Sequence, residues 1–170
     1  MVDKIVHRVN GEYQQYTPVQ TSAGAADAGK IPALGPDGKL DPSIYNSGGP
    51  SSRSIPASEA IAAGKFVNIY PNAGAANVRL ADNSNGRPAN GYVLAGVASG
   101  ANASVYDLDG INSQLTGLTP GSTYYLGVAG GVISPALDAT SAATGSIDQK
   151  LGVALSATEL KTDDYDYVVL

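Results

Sequence analysis

Between Gln114 and Leu160, no apolar stretch outlasts a β-strand before a glycine or proline interrupts it. The wording QLTGLTPGSTYYLG gives way to a Gly-rich gap and then to QKLGVALSATEL, so short strands joined by tight turns are expected. Pro120 presets φ at the first central position of a turn, and Gly121 takes the positive φ that a type II turn needs at the second. Thr123, Tyr124, Tyr125 and Leu126 then supply the β-branched and aromatic side chains that suit a pleated surface. Across the chain, 21 Gly and 10 Pro disfavour long helices and favour a turn-rich, all-β protein.

With 170 residues the chain suits one domain plus an appendage, and a body of that size can bury a real core. There is no Trp and only one Phe against ten Tyr, so the large anchors are mostly Tyr with Val, Leu and Ile. The absence of Cys excludes disulfides and thiolate metal sites. The net charge is −5, and the ten basic residues are scattered singly from Lys4 to Lys161, which argues against binding a nucleic-acid backbone. No run of 18 apolar residues is available to span a bilayer, so no membrane partner is expected. Residues 1–20 alternate apolar and polar and lack the continuous apolar core of a signal peptide. The chain is therefore expected to be made and kept in a cytoplasm, or to leave it by cell lysis within a larger particle.

Organisation follows from the distribution of apolar residues. The stretch NSGGPSSRS at 46–54 reads as a flexible polar linker. Upstream, Met1–Tyr45 is poor in large apolar residues, and TSAGAADAGKIPALGPDGKLDPSIY carries Pro32, Pro36, Pro42 and a Pro-Asp-Gly turn at 36–38. In it Ile31, Leu34, Leu40, Ile44 and Tyr45 recur as isolated anchors, the pattern of an extended arm that lies on another surface. Fully extended, such an arm reaches on the order of 150 Å. Residues 55–170 read as a β-barrel or sandwich-like body, with strands at 65–70, 77–81, 92–98, 104–107, 123–128, 131–133, 151–155 and 165–170. The segment 57–63 is the one short helical turn expected. A brief echo also appears: Gly64-KFVNIYP leads to Gly96-Val97-Ala98 as Gly121-STYYLGV leads to Gly152-Val153-Ala154. It fits either two units paired about a pseudo-two-fold axis or coincidence.

No constellation of residues in the chain supports catalysis, and no cofactor or metal site is expected. Gly24 to Lys30 fits the start of a phosphate-binding loop, but Ile31 stands where a Mg²⁺-holding hydroxyl belongs and Pro32 blocks the helix. Asp107, Asp109 and Asn112 look superficially like a calcium loop, yet the twelfth position is Leu118. A β-turn with Gly110 in the left-handed region is preferred there. Asp163, Asp164 and Asp166 precede an apolar terminal strand, where charge guards against edge-to-edge aggregation. His7 is the only histidine, which excludes a His-based triad within one chain. The tyrosines suit core and interface positions, or a sugar-binding platform. Asn102-Ala-Ser104 matches the glycosylation sequon, but a chain without an export signal does not meet that machinery.

Three segments resemble those of tailed-phage virion proteins. LTGLTPGSTYYLG followed by GVALSATEL is similar to a segment shared by head decoration proteins and tail fibres. ADAGKIPALGPDGKLDPSIY is similar to a stretch that leads from the attachment region into the body in phage head-fibre and tail-fibre proteins. ADNSNGRPANGYVLAGVASGANASVYDLDG (81–110) resembles the order of strands in capsid-cement proteins. The resemblance implies a non-enzymatic protein on the capsid surface of a virion, held to the major capsid protein by its arm and associated as a homotrimer. The alternative it leaves open is a fibre module that binds host surface glycans.

Overall fold

The structure, a computed structural model, describes residues 4–44 and 52–170. The chain divides into two compact units, Met1–Gly49 and Pro50–Leu170. It is all-β, with no α-helix among the described residues.

In the first unit, β1 (Ile5–Val9) and β2 (Glu12–Tyr16) form an antiparallel hairpin. Asn10 and Gly11 both take positive φ (51° and 91°), the requirement of a two-residue turn that follows the twist of its strands. Downstream are two 3₁₀ turns, Gly24–Asp27 and Pro42–Ile44.

The second unit contains one five-stranded motif built twice. The first copy comprises β3 (Ser52–Pro56), β4 (Phe66–Asn72), β5 (Ala75–Leu80), β6 (Gly91–Val93) and β7 (Asn102–Tyr106), ordered β3-β7-β6-β4-β5. The second comprises β8 (Ile111–Asn112), β9 (Thr123–Leu126), β10 (Val132–Ile133), β11 (Ile147–Ala154) and β12 (Leu160–Thr162), ordered β8-β12-β11-β9-β10. The two orders are the same once the strands are counted from the start of each copy. A last strand, β13 (Tyr167–Val169), pairs with the start of β11.

The correspondence holds residue by residue. Gly64 N–H donates to the Val93 carbonyl at 2.8 Å, as Gly121 N–H donates to that of Ala154 at 2.8 Å. Phe66 faces Tyr92 and Val67 faces Gly91, as Thr123 faces Val153 and Tyr124 faces Gly152. Gly91 and Gly152 are both glycine because a Cβ there would collide with the carbonyl of the neighbouring strand, Tyr106 or Lys161. Of the two readings the echo left open in the sequence, the fold has two units, but the echo is misplaced in the first. Gly152-Val153-Ala154 corresponds to Gly91-Tyr92-Val93, whereas Val97 leaves the sheet to bridge Ile61.

The first copy rolls up until its edges meet. Ala57, just past β3, bridges Val78 of β5, Ser58 N–H donates to the Val78 carbonyl, and Glu59 accepts from Leu80 N–H at 2.7 Å. Residues 57–63 are therefore the seam of a small barrel, not a helical turn, because their backbone groups are taken by β5 and by Val97. Inside lie Ile55, Ile61, Val67, Val78, Val93 and Val105. The second copy stays open, a half-barrel. Its concave face (Tyr124, Leu126, Ala154, Leu160) receives the outer face of the first barrel (Phe66, Tyr92, Tyr106) in one core. Burial of that apolar surface is the main force joining the copies.

Several strand limits differ from the sequence expectation. The linker expected over 46–54 falls partly outside the described residues, and Ser52–Ser54 belong to β3. Residues 94–98 leave the sheet after Val93, and β11 begins at Ile147 instead of 151. β3, β8 and β12 had no strand signal in the sequence because their side chains (SRSIP, IN, LKT) are mostly polar.

Candidate functional site: an N-terminal unit with its apolar side chains outward

The N-terminal unit is organised by backbone hydrogen bonds instead of a core. Val19 N–H donates to Ile31 carbonyl at 3.0 Å and Ala33 N–H to Val19 carbonyl at 2.8 Å, framing a bridge between Val19 and Pro32. The Tyr16 hydroxyl accepts from Ile31 N–H at 2.8 Å, and Gln20 Nε2 donates to Leu34 carbonyl at 2.7 Å. The Pro36-Asp37-Gly38 turn forms as expected, with Gly38 at φ +74° and Asp37 Oδ1 accepting from Lys39 N–H. Extended segments carrying prolines, which cannot enter a regular ladder at every position, are thereby fixed in place.

The side chains on this frame point to solvent. Ile31 is 46% exposed, Leu34 56%, and Leu40 is exposed beside a groove lined by Gln20, Thr21, Pro36 and Lys39. Ile44 is half-buried, and Tyr45 lies outside the described residues. The hairpin exposes further large side chains that the sequence did not single out: Tyr13 is 78% exposed and Val6 60%. Arg8 lies over the Tyr13 ring at 5.8 Å. Asn10-Gly11 between two alternating segments was the signal for this hairpin. Among the described residues of this unit, no large apolar side chain is buried.

The other sequence motifs resolve into structural roles. In the phosphate-loop look-alike, Lys30 pairs with Asp27 at 2.5 Å, and the Asp27 carboxylate also accepts from Ala23 N–H. The Ala23 amide, then Lys30, holds the Asp27 carboxyl below its usual value. In the calcium look-alike, buried Asn112 is committed to backbone: Nδ2 donates to Gly64 carbonyl at 2.8 Å, and Oδ1 accepts from Gln114 N–H. Gly110 does not take the left-handed conformation expected of it; instead its N–H and carbonyl both bond the Thr162 hydroxyl. Asp107 pairs with Arg53. Asp163, directly after β12, accepts from Lys161 and from the Tyr165 hydroxyl. His7 packs edge-on to Tyr16 at 5.9 Å. Tyr92 and Tyr124 are buried, and Tyr92 stacks on Tyr106 at 5.7 Å.

No protein-family model matches this chain, and no curated protein matches it. Among solved structures, the chain is similar to the N base of the head fibre gp8.5 of bacteriophage phi29. The two share 13% identity at a TM-score of 0.44, over 66% of this chain and 92% of that one.

Proposed function

We propose that this protein is a non-enzymatic structural component of a phage virion, attached to the capsid exterior through its N-terminal unit and assembled as a homotrimer. One observation carries the proposal. The described part of Met1–Gly49 exposes Ile5, Val6, Tyr13, Ile31, Leu34 and Leu40 on a hydrogen-bonded frame. A two-stranded hairpin and an extended segment without a core are marginal in water, so their apolar side chains call for a partner surface. The similarity of ADAGKIPALGPDGKLDPSIY to phage attachment segments supports the major capsid protein as that surface. Each contact is individually weak, and repetition over a symmetric shell supplies avidity.

The test is attachment to capsids that lack this protein. The double substitution Leu34→Asp with Ile44→Asp is expected to abolish the capsid-bound fraction while leaving the melting of the body unchanged. Retention of the variant on the capsid would overturn the proposal. Binding of the wild-type chain to host glycans but not to capsids would replace it with the fibre alternative.

A further inference from the structure

We infer that copies of this chain associate through the outer face of the second motif, the sheet surface that carries Thr123, Tyr125, Ile133, Val153 and Ile111. The inference deepens the proposed trimer and rests on it. Its starting point is the internal duplication. Cross-strand pairing places Ile133 beside Tyr125, Tyr125 beside Lys150, and Thr123 beside Val153, Lys161 and Ile111, all on one face. The corresponding positions in the first motif are Arg79, Asn68, Phe66, Tyr92, Tyr106 and Ser52, as the shared register requires. In the first motif that face is an interface: Phe66 and Tyr92 are fully buried against the second copy. In the second motif no copy of the motif covers the same face among the described residues, and the Tyr165 ring lies over Lys150 at 4.4 Å. Thr123, Tyr125, Ile133 and Val153 are half-exposed, and Ile111 is 44% exposed.

The face is not built as a solvent surface. Five β-branched or aromatic side chains sit on its strands, and β13 extends it with Val168, which pairs with Asp148 and is 62% exposed. The outward edge of β13 has no partner strand among the described residues. Charge identifies the occupant. Lys150 and Lys161 share this face with Asp148, and Asp163 borders it, bonded to Lys161. A surface carrying both signs beside an apolar strip is complementary to another copy of itself, not to a uniformly charged partner. Within one chain the equivalent face of the first motif is already buried as an interface.

The experiment measures the mass of the full chain by sedimentation and native mass spectrometry, for wild type and for Val153→Lys. Wild type is expected to be an oligomer, and Val153→Lys a monomer with an unchanged β-sheet spectrum. Because the chain has no cysteine, Thr123→Cys introduces a unique thiol. Its maleimide labelling is expected to slow on the order of tenfold as protein concentration rises through the association range. Labelling of Ser84→Cys, in an exposed turn of the first motif, should not change. If Val153→Lys does not fold, the labelling decides. A monomeric wild type, an oligomer that survives Val153→Lys, or a Thr123→Cys rate independent of concentration would overturn the inference. Capsid attachment by the arm variants is read separately, so loss of one result leaves the other standing.

Discussion

Gln149 and Ala89 are joined by a reciprocal pair of buried hydrogen bonds. The Ala89 N–H donates to Gln149 Oε1 at 2.7 Å, and Gln149 Nε2 donates to the Ala89 carbonyl at 2.9 Å. A side chain on β11 thus acts as one rung of a β-ladder for the 81–90 connection, tying the second motif to the first. Asn83 does the reverse, donating from Nδ2 to the Leu126 carbonyl at 2.8 Å. Asn112 adds a third such bond to Gly64. The apolar core joins the two copies without direction, and these amides fix their orientation. Buried polar groups of this kind are costly when left without partners.

Replacing Gln149 by Leu keeps the size of the side chain but strands the Ala89 N–H and carbonyl. A loss of about 2–4 kcal/mol is expected, measured by urea denaturation. An unchanged midpoint would show that water satisfies Ala89 and that the rung is dispensable.

Gly152→Ala and Gly121→Ala separate collision from conformation. A Cβ on Gly152 would overlap the Lys161 carbonyl oxygen in the adjacent strand, whereas a Cβ on Gly121 would meet nothing within 4 Å and only the φ of +80° disfavours it. Gly152→Ala is expected to cost about 3 kcal/mol or more, or to prevent folding. Gly121→Ala should cost roughly 1–2 kcal/mol, the penalty of the left-handed region alone. Thermal melts of the pair give the ranking directly.

The Tyr124 hydroxyl accepts from Thr119 N–H at 2.8 Å, pinning the turn that precedes β9. Tyr124→Phe removes that acceptor and no packing. Destabilisation of about 1 kcal/mol is expected, with the β-sheet spectrum unchanged.

Asp82 makes stability depend on acid pH. Burial pushes its carboxyl upward, but the Ser84 hydroxyl, the Ala129 and Ser84 N–H groups and the Arg87 charge outweigh that and hold it below the usual 3.8. A carboxyl depressed in the folded state binds its proton more readily when unfolded. Its contribution is therefore complete above the ordinary Asp value and lost as pH falls through the folded one. The stability gap between wild type and Asp82→Asn should be constant near neutrality and shrink below pH 3.8. A gap that widens in acid would contradict the arrangement.

The local chemistry was legible in the sequence wherever a turn or a strand carries its own cause. The turn at Pro120-Gly121 forms as expected, with Gly121 at φ +80° and Ser122 N–H donating to the Thr119 carbonyl. The Tyr-rich strand that follows is β9, and Val67, Val78 and Val93 are core residues in the first barrel. These are decided by φ preferences and by the fit of β-branched and aromatic side chains to a pleat, properties that each residue carries alone. Four matters needed the tertiary structure. Polar strands such as Leu160–Thr162 exist because neighbours offer their backbone groups a ladder. The 57–63 segment became a barrel seam because β5 and Val97 took its hydrogen bonds. Asn83, Asn112 and Gln149 look like surface residues in sequence, and only the carbonyls and amides brought against them make them buried ties. Duplication was barely audible because the two copies face different surroundings. The outer face of the first copy is buried, so it holds Phe66 and Tyr92, while the same positions in the second are Thr123 and Val153. Local preference writes the strands and turns, but the choice of partners for each backbone group and each face is made only when distant segments meet.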